Sequence, residues 1–202
     1  MKLYYAPGAC SLIVRIILNE LGLSADFESV DLRNKKTATG NNYLEINAKG
    51  SVPALQLDSG EMLTENAVII QYLADTTEAY QLLPPIGDLK RYRVLEWLNY
   101  AATDLHKGLG LLFNPAITQD MKEKIFYPQI QTKLKYVNTQ LQQHEFILGN
   151  HFTLPDAYIF VILSWAPHLG VDLTPWKNIT RYFDELRNRP SIQASLKAEA
   201  NA

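Results

Sequence analysis

Residues 2–11 read Lys2-Leu3-Tyr4-Tyr5-Ala6-Pro7-Gly8-Ala9-Cys10-Ser11, and this stretch decides the fold. Lys2 to Tyr5 is aromatic and β-favouring and predicts a short strand. Ala6-Pro7-Gly8-Ala9 predicts a turn, and a helix opens near Cys10 and Ser11. Val14, Ile17, Leu18 and Leu21 follow the i, i+3, i+4, i+7 rule and give that helix one apolar face. Gly22 stops it as a C-terminal cap. Phe27 to Leu32 predicts a second strand, joined to the first through a helix and so parallel to it.

Working outward, a polar stretch runs from Arg33 to Asn42, followed by a short helical segment around Tyr43 to Ile46. Val52-Pro53 leads into a third strand, Ala54 to Leu57. Asp58-Ser59-Gly60-Glu61 is hairpin chemistry, and Met62-Leu63 is the returning strand. Thr64-Glu65-Asn66 opens a helix through about Ala74, with Thr64 as its cap and Glu65 at the positive end of its dipole. The order is βαβαββα over residues 1–79, an α/β domain. Residues 80–87 form a linker, in which the adjacent Pro84 and Pro85 forbid a continuous helix.

Residues 88–202 read as all-helical. One long helix spans Asp88 to about Leu112, and a second runs from Met121 to His144 with Pro128 as a kink or break. Thr153 and Asp156 form a capping box, with Pro155 at the second helical position where its missing N–H does little harm. The helix that follows, to about Trp165, is nearly all apolar and forms the buried centre of this domain. A last helix spans Trp176 to Arg187, ended by Arg189-Pro190.

Composition narrows the function classes. The 202 residues are 47% hydrophobic with a net charge of -2, as expected of a folded, soluble chain. No basic stripe points to nucleic acid, Lys35-Lys36 being an isolated pair. Pro7, Gly8 and Arg15 break any signal-peptide pattern, and no run of about 18 apolar residues predicts a membrane span. A single cysteine allows no internal disulfide and fits a reducing cytoplasm. His106, His144, His151 and His168 show no metal-ligand spacing, so no metal is expected.

Four features could carry chemistry. Cys10 sits at a helix N-terminus, where backbone N–H groups stabilise a thiolate, its own or a ligand's. Otherwise it is a small buried hydrophobe. Ser11 is the neighbouring donor, or simply a cap. Val52-Pro53, if cis, leaves the Val52 N–H and C=O to pair with an extended peptide; a trans proline at a strand start is the plainer reading. Glu65-Asn66 suits the zwitterionic end of an amino acid, or merely decorates a helix end. Asn99, Thr103 and His106 fall on one helix face with Asp104 and Lys107 adjacent, which is either a proton-carrying group or a solvated surface.

Taken together, Tyr4 to Ser11, Asn47-Ala48-Lys49-Gly50-Ser51-Val52-Pro53-Ala54-Leu55, Leu63-Thr64-Glu65-Asn66, Glu96-Trp97-Leu98-Asn99 and Leu105-His106-Lys107-Gly108 resemble the bacterial beta-class glutathione transferases. Leu112-Phe113-Asn114-Pro115, Asp156-Ala157-Tyr158, Arg181-Tyr182-Phe183 and Arg189-Pro190 continue the resemblance along the whole chain. It implies a thioredoxin-like N-terminal domain that binds glutathione as co-substrate, and a helical C-terminal domain. Cys10 and Ser11 would lie beside the glutathione sulfur, with His106 approaching the same atom and Tyr5 secondary. Val52 and cis-Pro53 would pair with the cysteinyl backbone. Glu65 and Asn66 would hold the γ-glutamyl end, and Lys35 would face the glycyl carboxylate. Asn99, Thr103, Asp104 and Lys107 would line the cleft, and a homodimer is implied. Asn66 departs from the family's usual Ser or Gly, Ala48 from a common proline, and Val14-Arg15 from a usual Pro-His.

The function expected is conjugation of the glutathione thiolate to a small, largely apolar electrophile, with peroxidase or thiol-exchange side activity. Phe113 and Trp165 are the expected walls of the second-substrate pocket. Two rivals remain: monothiol disulfide exchange centred on Cys10, and non-catalytic ligand or partner binding on the same scaffold.

Overall fold

The computed structural model describes residues 1–200. The chain divides into two compact units, one of residues 1–79 with the segment from Arg189 onward, the other Tyr80–Asn188.

In the first unit, β1 (Lys2–Tyr5), α1 (Leu12–Glu20), β2 (Asp26–Asp31), β3 (Lys36–Thr37), α2 (Tyr43–Ile46), β4 (Ala54–Gln56), β5 (Met62–Thr64) and α3 (Asn66–Thr76) follow in order. The sheet order is β3-β2-β1-β4-β5. β1 and β2 are parallel, with Leu3 opposite Phe27, and the other pairings are antiparallel. The strand β3 interrupts the expected polar stretch: Lys36 and Thr37 pair with Asp31 and Val30. Two paired residues leave no periodicity to read.

β1 alternates its side chains between two faces. Tyr4 joins Ala6, Val30, Tyr43, Val52 and Ala54 in one buried cluster. Tyr5 packs instead edge-on to Phe27 and under the Arg15 guanidinium of α1. The helix α1 is buried from Leu12 through Leu18, and each such aliphatic side chain contributes about 1.5–3 kcal/mol of burial. Gly22, at φ 65°, closes it, and the Leu23 N–H reaches back to the Leu18 carbonyl at 2.9 Å.

The helix α10 (Pro190–Ala200) was not expected and belongs to this first unit, not to a helical domain running from 88 to 202. Arg189-Pro190 reads as a stop after the preceding helix, yet proline is equally suited to a first helical turn. The helix is lashed antiparallel along α1. Arg189 and Ser191 bond Glu20, Asn19 donates to the Ser195 hydroxyl at 2.7 Å, and Arg15 pairs with Glu199 at 3.5 Å.

In the second unit, α4 (Leu89–Tyr100) continues through a π-helical turn, Ala101–His106, into α5 (Lys107–Gly110) and a 3₁₀ turn, Leu111–Phe113. α6 (Gln119–Met121) passes through a second π turn, Lys122–Phe126, into α7 (Tyr127–Gln140). That second π turn lies just before Pro128, whose missing N–H breaks the regular ladder there. α8 (Leu154–Ser164) is buried along nearly its whole length, and α9 (Lys177–Arg187) presents Ile179, Tyr182 and Leu186 inward. The capping box at Thr153 and Asp156 forms. Among the described residues, no helix is long and apolar enough to cross a membrane.

Candidate active site

In the first unit the candidate residues gather around the segment 47–53. Val52–Pro53 is cis. The Ser51 carbonyl before it is held by the Tyr43 hydroxyl at 2.9 Å and the Asn47 amide at 2.7 Å. Burial pushes the Tyr43 phenol up, so it stays a donor. The Cys10 thiol, half-buried, donates to the Val52 carbonyl at 3.2 Å. The two stretches singled out in the sequence thus meet at one point, and the Val52 C=O is engaged by the thiol rather than open.

The loop that carries Cys10 is fixed from both sides. The Ser11 hydroxyl accepts from the Ala6 N–H at 3.1 Å and donates to the Ala6 carbonyl at 3.3 Å. Ser11 is fully buried and makes no side-chain cap. The expectation that it caps the helix is therefore corrected: its hydroxyl closes the Ala6–Ser11 turn. On the other side, the Gly8 N–H donates to the Glu199 carboxylate at 2.8 Å. Gly8, at φ 70°, takes a left-handed conformation that suits glycine.

Glu65 precedes α3 with φ at 71°, a strained value for a residue with a side chain. Its carboxylate is 64% exposed and is met by the Lys49 ammonium at 2.6 Å, which also donates to the Thr64 hydroxyl at 3.0 Å. Thr64 therefore serves Lys49 and does not cap the helix. Asn66 is buried, and its Oδ1 has no hydrogen-bond partner. The Lys35 ammonium rests on the Gly50 carbonyl at 2.7 Å. Cys10, Val52, Pro53, Lys35, Glu65 and Asn66 thus lie on or beside one turn and the helix start next to it. Tyr5 does not join them, because strand alternation sends its ring to Phe27 and Arg15. Lys49 was missed; a lysine before a glycine carries no pattern that would flag it.

The second unit divides the other candidates. Thr103 gives its hydroxyl to the Asn99 carbonyl at 2.9 Å, and Asp104 pairs with Lys133 of α7 at 3.2 Å. Asp104 also lines an open groove of about 730 Å³ with Trp97, Tyr100, Lys133 and Tyr136. Burial pushes the Tyr100 phenol there up to about 12. Lys107, beyond the π turn, is exposed. His106 faces a different set. Its Nδ1 lies 3.0 Å from the Tyr158 hydroxyl, and its ring sits 5.2 Å from that of Trp165. Phe113 meets Trp165 edge-on at 5.4 Å; Phe113 is exposed and Trp165 buried. The expected single face of Asn99, Thr103 and His106 is thus corrected, since the π turn adds residues per turn and takes the imidazole out of α-helical register.

The comparisons with known proteins cover both units. Residues 8–76 match the family model for the glutathione S-transferase N-terminal domain, and residues 101–190 match that for its C-terminal domain. The chain belongs to the glutathione S-transferase family. It is 44% identical to the glutathione S-transferase GstA of Escherichia coli O157:H7 over 199 residues, 98% of each protein. BphK, a bacterial transferase solved as a ternary complex, is 42% identical with a TM-score of 0.95, over 99% of this chain and all of BphK. A sphingomonad glutathione S-transferase solved with glutathione is 38% identical with a TM-score of 0.95, each chain covered in full. The beta-class transferase of Sphingomonas chungbukensis is 39% identical with a TM-score of 0.94, again over both full chains. In this transferase chain, then, the fold expected from its motifs is the fold found.

Proposed function

We propose that this transferase conjugates the glutathione thiolate to small, largely apolar electrophiles. One observation carries the reading: the Cys10 thiol lies 3.2 Å from the Val52 carbonyl. A cysteinyl residue paired along the Val52 backbone would set its own sulfur beside the start of α1, where unpaired N–H groups favour a thiolate. Glu65 would take the γ-glutamyl ammonium, the N-terminus of α3 with Asn66 its carboxylate, and Lys35 the glycyl carboxylate. Asn99, Thr103, Asp104 and Lys107 would border the cleft. His106 would serve the sulfur as a hydrogen-bond donor, and Phe113 and Trp165 would form the wall of the electrophile's pocket. Catalysis would then rest on thiol activation and proximity.

The test is glutathione-dependent conjugation of an activated aryl chloride, followed by the thioether's absorbance, beside a disulfide-exchange assay on the wild type and Cys10→Ser. Saturable conjugation supports the reading. Exchange that Cys10→Ser abolishes, without conjugation, supports a monothiol route instead. Retention of the protein on a glutathione-affinity resin with neither turnover would leave binding alone.

We place the transferase in the cytoplasm, on its one cysteine, and propose a homodimer. The aromatic-lined groove of the second unit supports the dimer, as do exposed Leu89 and Tyr92 on α4 and Val68 and Tyr72 on α3.

The Lys49 ammonium occupies the carboxylate assigned to the ligand's ammonium, so the two compete. Lys49→Met removes the competitor. An exposed ion pair contributes about 0.2–1 kcal/mol, so KM for glutathione is expected to fall about 1.5- to 5-fold with kcat unchanged. A KM that stays put or rises in initial-rate measurements would count against this competition.

A further inference from the structure

α8 is an aliphatic and aromatic run in which Tyr158 supplies the hydroxyl that meets His106. Tyr158 is 3% exposed, so that hydroxyl sits where hydrogen-bonding capacity is not left unused. The imidazole is further bounded by Trp165, with the two ring planes inclined at 65°, and by the Tyr158 ring at 64°. His106 closes the π turn of the α4–α5 rod, a local geometry that often marks functional positions.

The direction of the hydrogen bond follows from chemistry. A phenol is a far stronger acid than the N–H of a neutral imidazole, and an imidazole nitrogen lone pair is a far better acceptor than a phenolic oxygen. The stronger arrangement is therefore O–H of Tyr158 donating to Nδ1 of His106. With Nδ1 occupied as acceptor, the neutral ring carries its proton on Nε2.

We propose that Tyr158 is a positioning residue that holds His106 as the Nε2–H tautomer, so that the imidazole presents a donor rather than a lone pair. This rests on the reading that His106 serves the glutathione sulfur. A thiolate is an acceptor, so the Nε2–H form is the one that stabilises it; the opposite tautomer would aim a lone pair at negative charge. In this reading Tyr158 acts on the sulfur through the imidazole.

The test uses the full chain labelled with ¹⁵N. Long-range proton–nitrogen spectra at alkaline pH, where the ring is neutral, read the tautomer of His106 directly, with the signal assigned by its loss in His106→Gln. The expected result is the Nε2–H form in the wild type and an added Nδ1–H population in Tyr158→Phe. In conjugation assays Tyr158→Phe should lower kcat about 3- to 10-fold, the worth of one hydrogen bond, with KM for glutathione within about two-fold. The loss should vanish when Tyr158→Phe is made in the His106→Gln background. A wild-type Nδ1–H signal overturns the proposal, and so does an equal loss in both backgrounds. If Tyr158→Phe fails to fold, the wild-type spectrum decides. Absence of conjugation in the wild type would instead overturn the functional reading, with the tautomer still measured.

Discussion

Asp156→Ala is expected to destabilise the protein by about 3–5 kcal/mol, the range for breaking a buried charged network. Asp156 is fully buried and accepts four hydrogen bonds: from the Ile147 N–H at 2.9 Å, and from the Thr153 N–H, the Thr153 hydroxyl and the Tyr182 hydroxyl, each at 2.8 Å. Burial pushes its carboxyl pKa up while the four donors pull it back. The side chain therefore ties the start of α8 to the loop at Ile147 and to α9. Removing it orphans the donors, each at about 1–3 kcal/mol before relaxation, and deletes the cap of the most buried helix. At about 2–4 °C per kcal/mol for a chain of this size, the melting temperature should drop by roughly 6–20 °C. Calorimetry on the wild type, Asp156→Ala and Asp156→Asn measures this, with the asparagine variant falling between the other two. A shift under about 2 °C for Asp156→Ala would mean the network contributes little.

Glu65→Ala is expected to raise KM for glutathione about 10- to 100-fold while leaving kcat close to the wild-type value. A hydrogen bond between charged groups contributes about 1.5–3 kcal/mol, and each 1.4 kcal/mol is tenfold in affinity. The proposed contact would be to an unreacting end of the substrate and the same in the ground and transition states, so the loss should fall on KM. A glutathione analogue without the α-ammonium checks the assignment. The wild type should bind it as weakly as Glu65→Ala binds glutathione, and the substitution should change its KM little. An equal penalty for glutathione and for the analogue would place the ammonium elsewhere.

The backbone plan was legible because its signals are local and periodic. The apolar rows of α1, Gly22 after it, the Asp58–Glu61 hairpin and the Thr153–Asp156 cap each act within a few residues. The features without a local signal are either too short or set by distant partners. β3 pairs only two residues. α10 was hidden because Pro190 ends one helix and starts the next with the same chemistry. The π turn at Ala101–His106 leaves no compositional mark, so α-helical spacing puts His106 on one face with Asn99 and Thr103, which the structure does not. At the candidate site, sequence reading reaches residue types but not residue contacts. Ser11 looked like an available donor, yet its hydroxyl closes on Ala6, a choice set by the three-dimensional turn. Lys49, Glu199 and Tyr158 have their roles only through partners 16, 191 and 52 residues away. The one clue open to sequence reading was a tyrosine in the otherwise apolar run of α8.

In the proposed reaction the reacting sulfur belongs to glutathione and not to Cys10. Steady-state conjugation of an activated aryl chloride by Cys10→Ala, beside the wild type at saturating glutathione, tests it most directly. The start of α1, the Val52 turn and His106 all remain in that variant, so kcat is expected to stay within about one order of magnitude of the wild type, a loss of at most about 1.4 kcal/mol. Loss of nearly all conjugation in a folded Cys10→Ala protein would instead make Cys10 itself the nucleophile.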